Sequence, residues 1–310
     1  MESIVIGIDG GGTKTRALVA DEHGDIRGEA VGAGSAVRPG QITHSADVIA
    51  AVVRDALDVA DQAHARPRVL CVGVAGVGRE PERAALWEAL ASRQLADELV
   101  VQHDLAVALE DAFGDGPGIL LIAGTGSSAY GRGPAGATTR CGGWGPNIGD
   151  EGGGAWIGHR ALSVVAAASD GREPETALTG AILTATEVGD ASDLIRWAAE
   201  ASPATYATLA PVVIQVADTG DLRANSILSL AVEELSLHVR ALARGLFTDE
   251  RAAVPVAFTG GLLRKGSSLR KRLEHRLKTA VPGARLHADE IDPARGAVRS
   301  AIRHLAQLTT

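Results

Sequence analysis

The sequence predicts an α/β protein of two domains, each a mixed sheet flanked by helices, and three observations carry that prediction. The chain has 310 residues, more than one hydrophobic core ordinarily serves. Its first 115 residues read strand, strand, strand, helix, strand, helix, strand, helix, the order of a mixed sheet faced by helices. At Gly118 the opening pattern of strand, Gly/Thr turn and hairpin starts again, about 110 residues after its first appearance. The boundary falls near Asp115-Gly116-Pro117, giving domains at 1–115 and 116–292 with a cleft expected where they join. A closing helix over 293–310 is expected to rejoin the first domain.

Each element follows from local pattern. Ile4 to Ile8 is short and β-branched, a buried strand; Gly10-Gly11-Gly12 turns it into Arg16 to Ala20, and the turn at 21–25 leads to Ile26 to Val31. Ser45 to Ala63 carries Ile49, Val52, Val53, Ala56 and Leu57 at helical spacing. Strands at Val69 to Val74 and Leu99 to Val101 alternate with helices at Glu80 to Arg93 and Leu105 to Phe113. In the second half, strands at 119–122, 127–132 and 137–141 precede helices at 155–168, 175–186, 192–199, 203–218 and 222–246. A strand over Val254 to Phe258 and a helix over Pro293 to Leu308 complete the prediction.

Composition narrows the class. Thirty basic against thirty-eight acidic residues give a net charge of −8, and 45% of residues are apolar, which argues against disorder and against a non-specific nucleic-acid binder. Only Cys71 and Cys141 are present, too few for a disulfide framework or a four-thiolate zinc site, so a reducing, cytoplasmic compartment is expected. No segment offers about 18 uninterrupted apolar residues, and the amino terminus lacks the pattern of a secretory signal, so no membrane partner is expected.

The chemistry concentrates where glycines cluster. Asp9-Gly10-Gly11-Gly12-Thr13-Lys14-Thr15 ends the first strand, where backbone N–H groups can approach a phosphate and an Asp can hold magnesium through water. It is neither a Walker A loop nor a dinucleotide fingerprint, because Thr13 interrupts Gly-Lys and a strand follows. The alternative is a plain glycine-rich hairpin turn. Ala123-Gly124-Thr125-Gly126-Ser127-Ser128 repeats that chemistry in the second half, and Thr259-Gly260-Gly261 makes a third turn that can pass close to an adenosine. Asp104 stands between a strand and a helix, so it is either an N-cap or a carboxylate that accepts a hydroxyl proton; His103 is read as structural. The segment 141–154 holds seven glycines in fourteen residues. Its Trp144 and Asp150 suit a sugar ring and its hydroxyls, while Asp150 and Glu151 alternatively cap the next helix.

Taken in order, Asp-Gly-Gly-Gly-Thr-Lys-Thr at 9–15, His-Asp at 103–104, Ala-Gly-Thr-Gly-Ser at 123–127 and Cys-Gly-Gly-Trp-Gly-Pro-Asn-Ile-Gly-Asp-Glu-Gly at 141–152 resemble the N-acetylglucosamine kinase-like branch of the BadF/BadG/BcrA/BcrD ATPase family. That branch belongs to the sugar kinase, Hsc70 and actin superfamily. The resemblance implies two ribonuclease-H-like (actin-like ATPase) domains, ATP and Mg2+ as cofactors, transfer of the γ-phosphate to the 6-hydroxyl of an amino sugar, and a homodimer. It implies Asp104 as catalytic base, Asp9 as organiser of magnesium, and Gly11, Gly12, Thr13, Lys14, Thr125, Gly126, Ser127, Ala207, Gly260 and Gly261 as nucleotide contacts. Ser35, Cys141, Gly143, Trp144, Gly145 and Asp150 would line the sugar. Ser35 stands where the family commonly has Asn, which leaves the sugar open among N-acetylglucosamine, glucosamine, N-acetylmuramic acid and glucose. A nucleotide-driven switch and a sugar-binding regulator are the competing classes.

Overall fold

The computed structural model describes residues 3–249 and 252–308. The chain divides into two compact units, one reaching Gly116 and resuming at Ile291, the other spanning Pro117–Glu290.

The first unit is built on β1 (Ile4–Gly10), β2 (Lys14–Asp21), β3 (Ile26–Ala33), β4 (Val69–Val74) and β5 (Glu98–His103), in the order β3-β2-β1-β4-β5. β2 and β3 run antiparallel to their neighbours, and β1, β4 and β5 are parallel. β4 is buried at every position because helices cover both faces of the parallel strands. Ile6, Ile8, Leu70 and Val72 pack beneath α1 (Ile42–Val59) and α2 (Glu80–Ala91). On the opposite face, Val5, Val69 and Cys71 meet α3 (Asp104–Phe113) and the closing helix α11 (Pro293–Leu308). Gly296 makes that layer possible, since a Cβ there would overlap the Val107 carbonyl of α3.

The second unit repeats the pairing pattern. β6 (Gly118–Ala123), β7 (Ser127–Arg132), β8 (Thr138–Gly142), β9 (Val254–Thr259) and β10 (Ala284–Leu286) lie in the order β10-β9-β6-β7-β8, with β7 and β8 antiparallel. Its core joins β6 and β9 to α4 (Gly154–Ser169), α5 (Ala177–Thr186), α6 (Leu194–Glu200), α7 (Pro203–Ala207), α8 (Ala210–Asp218), α9 (Leu222–Leu246) and α10 (Ser268–Ala280), through residues such as Ile119, Leu121, Ile157, Leu228 and Leu269.

Two regions differ from the sequence reading. The helix expected over 203–218 is two helices, α7 capped by the Ser202 hydroxyl and α8 begun by Pro211, whose missing N–H suits a first turn and not a helix interior. α10 and β10 had no counterpart in the pattern. α10 is mostly charged and buries only the stripe Leu269, Leu273 and Leu277 with Arg270, while β10 has just three residues. Among the described residues no helix is long and apolar enough to cross a membrane.

Candidate active site

In the first unit the chemistry gathers where β1 and β5 end. The Gly11 N–H donates to the Lys14 carbonyl at 2.9 Å, closing a tight turn that leaves Gly12, Thr13 and Lys14 exposed. The loop after β3 braces this turn from behind: Ala36 N–H donates to Gly11 O at 3.0 Å, and a Cβ on Gly34 would overlap the Gly12 carbonyl. Ser35, expected at the sugar, is instead fully buried, with its hydroxyl 2.8 Å from that of Thr15, itself 2.6 Å from Ala33 O. Ser35 therefore belongs to the framework of the turn, with its side chain out of contact with solvent.

The cap expected as the alternative role of Asp104 comes from its neighbour. The N-cap of α3 is His103, whose Nδ1 accepts from the Ala106 N–H at 3.2 Å, so the Asp104 carboxylate is not needed as the cap. Its carboxylate accepts the Leu105 N–H at 3.0 Å and its own backbone N–H, and burial raises its pKa against these hydrogen bonds. Asp9 is pushed up to about 6, first by burial and then by the like charges of Asp104 and Asp292, with Lys14 and Arg16 pulling the other way. Arg16 sits opposite Asp9 in the β1–β2 register and is held between Glu29, at 2.7 Å, and both oxygens of Asp292, at 2.7 Å. Asp292 was missed by sequence reasoning, because nothing local shows that the chain's return at 291 brings it beside the first strand.

In the second unit, the Gly124–Gly126 turn is held by α4. Gly154 and Ala155 donate to the carbonyls of Gly124 and Thr125 at 2.8 and 2.9 Å, so the N-terminus of α4 is satisfied by the turn and has no side-chain cap. This overturns the capping alternative for Asp150 and Glu151. Thr125 is exposed, whereas Ser127, expected on the nucleotide, is 4% exposed and donates its hydroxyl to Glu151 O at 2.6 Å. Ser127 ties the glycine-rich loop to β7.

Asp150 adopts a left-handed conformation, φ 61°, uncommon for a residue with a side chain. Its carboxylate accepts the Gly145 N–H at 3.3 Å and the Ser127 N–H, and lies where a Cβ on Gly126 would be. Burial leads the rise of its pKa. Trp144 is 67% exposed, with the Arg140 guanidinium 5.9 Å from its ring. Cys141 is half-buried, its thiol pushed up by burial and by Glu151. Gly142 rests on the buried His238 of α9, which sequence reasoning passed over because a lone histidine on a long amphipathic helix carries no motif. Around the third turn, a Cβ on Gly260 would overlap Ala123, and one on Gly154 would meet Ala207 and Gly124.

A model described as the BadF/BadG/BcrA/BcrD ATPase family matches residues 6–301. The chain belongs to this family. It is 28% identical to an N-acetyl-D-glucosamine kinase of Dictyostelium discoideum, over 97% of this chain and 98% of that protein. It is 29% identical to an N-acetylmuramic acid/N-acetylglucosamine kinase of Clostridium acetobutylicum, over 95% and 96%. A solved structure from Chromobacterium violaceum, named as a candidate N-acetylglucosamine kinase, superposes with a TM-score of 0.79 at 31% identity, covering 97% of this chain and 99% of that one. A Streptomyces griseus ROK family glucokinase shares the fold at TM-score 0.58 and 16% identity. This member of the family thus has the two-domain α/β architecture of the actin-like sugar kinases. Each of its units presents a Gly/Thr turn at the end of its first strand, one beside half-buried carboxylates and the other beside the glycine-rich loop.

Proposed function

We propose that this chain transfers the γ-phosphate of ATP to the 6-hydroxyl of an amino sugar, with N-acetylglucosamine as the first candidate. The observation that carries the assignment is the His103 cap: it leaves a half-buried carboxylate of raised pKa, Asp104, at the strand end beside Asp9 and the exposed Gly12-Thr13-Lys14 turn. In the reaction the sugar O6 bonds to phosphorus as the bond to the ADP leaving oxygen breaks, and the O6 proton passes to Asp104. A base with its pKa raised towards neutrality is better matched to that proton than an ordinary aspartate.

The remaining roles follow position. Gly11, Gly12, Thr13 and Lys14 supply N–H groups, a hydroxyl and a cation for phosphate oxygens; Thr125 and Gly126 add a second turn, and Gly260, Gly261 and Ala207 flank the adenosine. Gly143, Trp144, Gly145 and Asp150 form the sugar loop, with Cys141 at its base. The residues fit magnesium: among the described residues no group of three His, Cys, Asp or Glu side chains can hold a metal by itself, yet Asp9 is a half-buried carboxylate crowded by like charge. Such a carboxylate suits an ion that keeps its waters and shares the nucleotide's phosphates. Bound there, Mg2+ supplies neutralisation of phosphate charge. A homodimer is inferred on family resemblance alone, and sedimentation tests it.

Release of ADP from Mg-ATP, followed with N-acetylglucosamine, glucosamine, N-acetylmuramic acid and glucose in turn, tests the assignment. Turnover that needs an amino sugar is the expected result. Sugar-independent turnover would instead mark a nucleotide-driven switch, and binding without turnover a regulator.

A further inference from the structure

A cavity of about 680 Å³ opens in the first unit at the end of the sheet opposite Asp9. It is bounded by the starts of β1, β3 and β4 and by the chain leaving α1. Ile4, which lines it, is five residues before Asp9 along β1, roughly 16 Å at the rise of a strand. The cavity is therefore separate from the phosphate turn and the catalytic carboxylates.

Its walls are cationic in a chain whose net charge is −8. Arg27, Arg66, Arg68 and His64 line it, together with Gln62 and a single carboxylate, Asp21. Asp21 does not offer its charge to the space: it is 3% exposed, its Oδ1 accepts the N–H groups of His23 and Asp25 at 2.9 and 3.0 Å, and its Oδ2 accepts Arg27 Nε and Nη2 at 3.0 and 2.6 Å. Arg66 and Arg68 share one carboxylate between them, Asp97, at 3.0 and 2.7 Å. Two guanidinium groups on one aspartate leave an excess positive charge. All three arginines are also held in place by these partners, so a ligand would lose little side-chain entropy in meeting them. The chain enters this wall through Asp61 in a left-handed conformation, φ 55°, which fixes the path from α1 to Gln62.

We propose that this cavity is a second ligand site, for a small molecule carrying a phosphomonoester. Guanidinium forks match phosphate oxygens in pairs, and a doubly charged group gains most from a wall with excess positive charge. The volume is that of a site for a whole metabolite, larger than a bare phosphate fills. Two sources share this chemistry: a hexosamine phosphate, which is the product class of the proposed reaction, and a nucleoside monophosphate. The site itself is independent of that reaction.

Hydrogen exchange of the full chain, read by peptide, tests the proposal with N-acetylglucosamine 6-phosphate, AMP and inorganic phosphate as separate probes. Protection over residues 19–27 and 60–68 is expected with one of the two esters or both, and the pattern tells the source. Arg68→Ala should weaken that protection at least tenfold in apparent affinity. Gln62→Glu is the second variant, because its exposed side chain adds a negative charge to the wall without touching an ion pair. It should weaken protection as much while its circular dichroism matches the parent. Protection confined to residues 9–15 and 124–127, or an unchanged response in Gln62→Glu, would overturn the proposal. So would equal affinity for inorganic phosphate, since the rest of the molecule would then contribute nothing. None of these readouts depends on turnover, so a failed sugar-kinase assignment and a failed second site give different results.

Discussion

The two Gly/Thr turns occupy the same place in their sheets, between the first strand and the antiparallel second, yet they are finished differently. The turn at 10–14 has two raised carboxylates nearby, an exposed lysine, and a bracing loop behind it that spends Ser35 and Thr15 on mutual hydrogen bonding. The turn at 124–127 has no cation of its own; its carbonyls accept the first N–H groups of α4, and Asp150 lies against Gly126. A topological repeat therefore sets where a turn stands and not what it does. The first is held in place from behind by a loop and carries its own lysine, the second is held by a helix end and carries none.

Changes that remove the charged chemistry of the first turn should break this contrast most severely. Asp104→Asn should lower turnover by on the order of 10² or more while leaving ATP and sugar binding within a few-fold, as for loss of a general base. Steady-state kinetics with equilibrium titration measures both. Retained turnover with a lowered melting temperature would point to a purely structural carboxylate.

Replacing hydroxyls compares the turns directly. Thr13→Val and Thr125→Val each remove an exposed hydroxyl that the proposed site directs at a phosphate, an expected loss of roughly 1.5–3 kcal/mol in ATP use with little change in sugar binding. Equal and undiminished ATP dependence in both variants would remove both turns from the nucleotide site.

Asp9→Asn sharpens the difference through pH. The folded pKa of Asp9, about 6 against an ordinary 3.8, means that ionised Asp9 costs the folded state stability. That cost is fully present above pH 6 and fades as pH falls towards 4, because protonation then relieves it in the folded chain first. Asp9→Asn should therefore raise stability by on the order of 2 kcal/mol at pH 7 and by little at pH 4, while activity is lost. Denaturant midpoints at the two pH values check the sign. For the parent enzyme, activity should decline as pH falls through about 6.

The smallest effect belongs to the brace. Ser35→Ala should cost about 1 kcal/mol of stability, the scale of one hydrogen bond, and leave the sugar KM unchanged. A raised KM at unchanged stability would return Ser35 to the sugar site.

Much of this was legible before the fold was known. The hairpins, the buried strands and the helices over 42–59, 222–246 and 293–308 follow periodicity, and each glycine cluster marked a turn at a strand end. Asp9, Asp104 and the 141–152 loop stood out as candidates because chemistry with phosphate and sugar restricts residue types at short spacing. What escaped was α10, whose apolar stripe is three leucines among charges, and the roles of Ser35 and Ser127, whose hydroxyls read the same whether they face a ligand or a backbone carbonyl.

The sequence by itself determined the local elements, the repeated strand-turn-hairpin and which groups are candidates for reaction, because those depend on side-chain chemistry and on neighbours within a few positions. Only the tertiary structure decided which of those groups are at liberty to act. His103 caps α3 and frees Asp104, the carbonyls of the Gly124–Gly126 turn satisfy α4 and free Asp150 from capping, and Asp292 crowds Asp9 from 283 residues further along the chain. Hydrogen-bond partners and desolvation are properties of position in space, and in a chain of this length most of them come from residues far away in sequence.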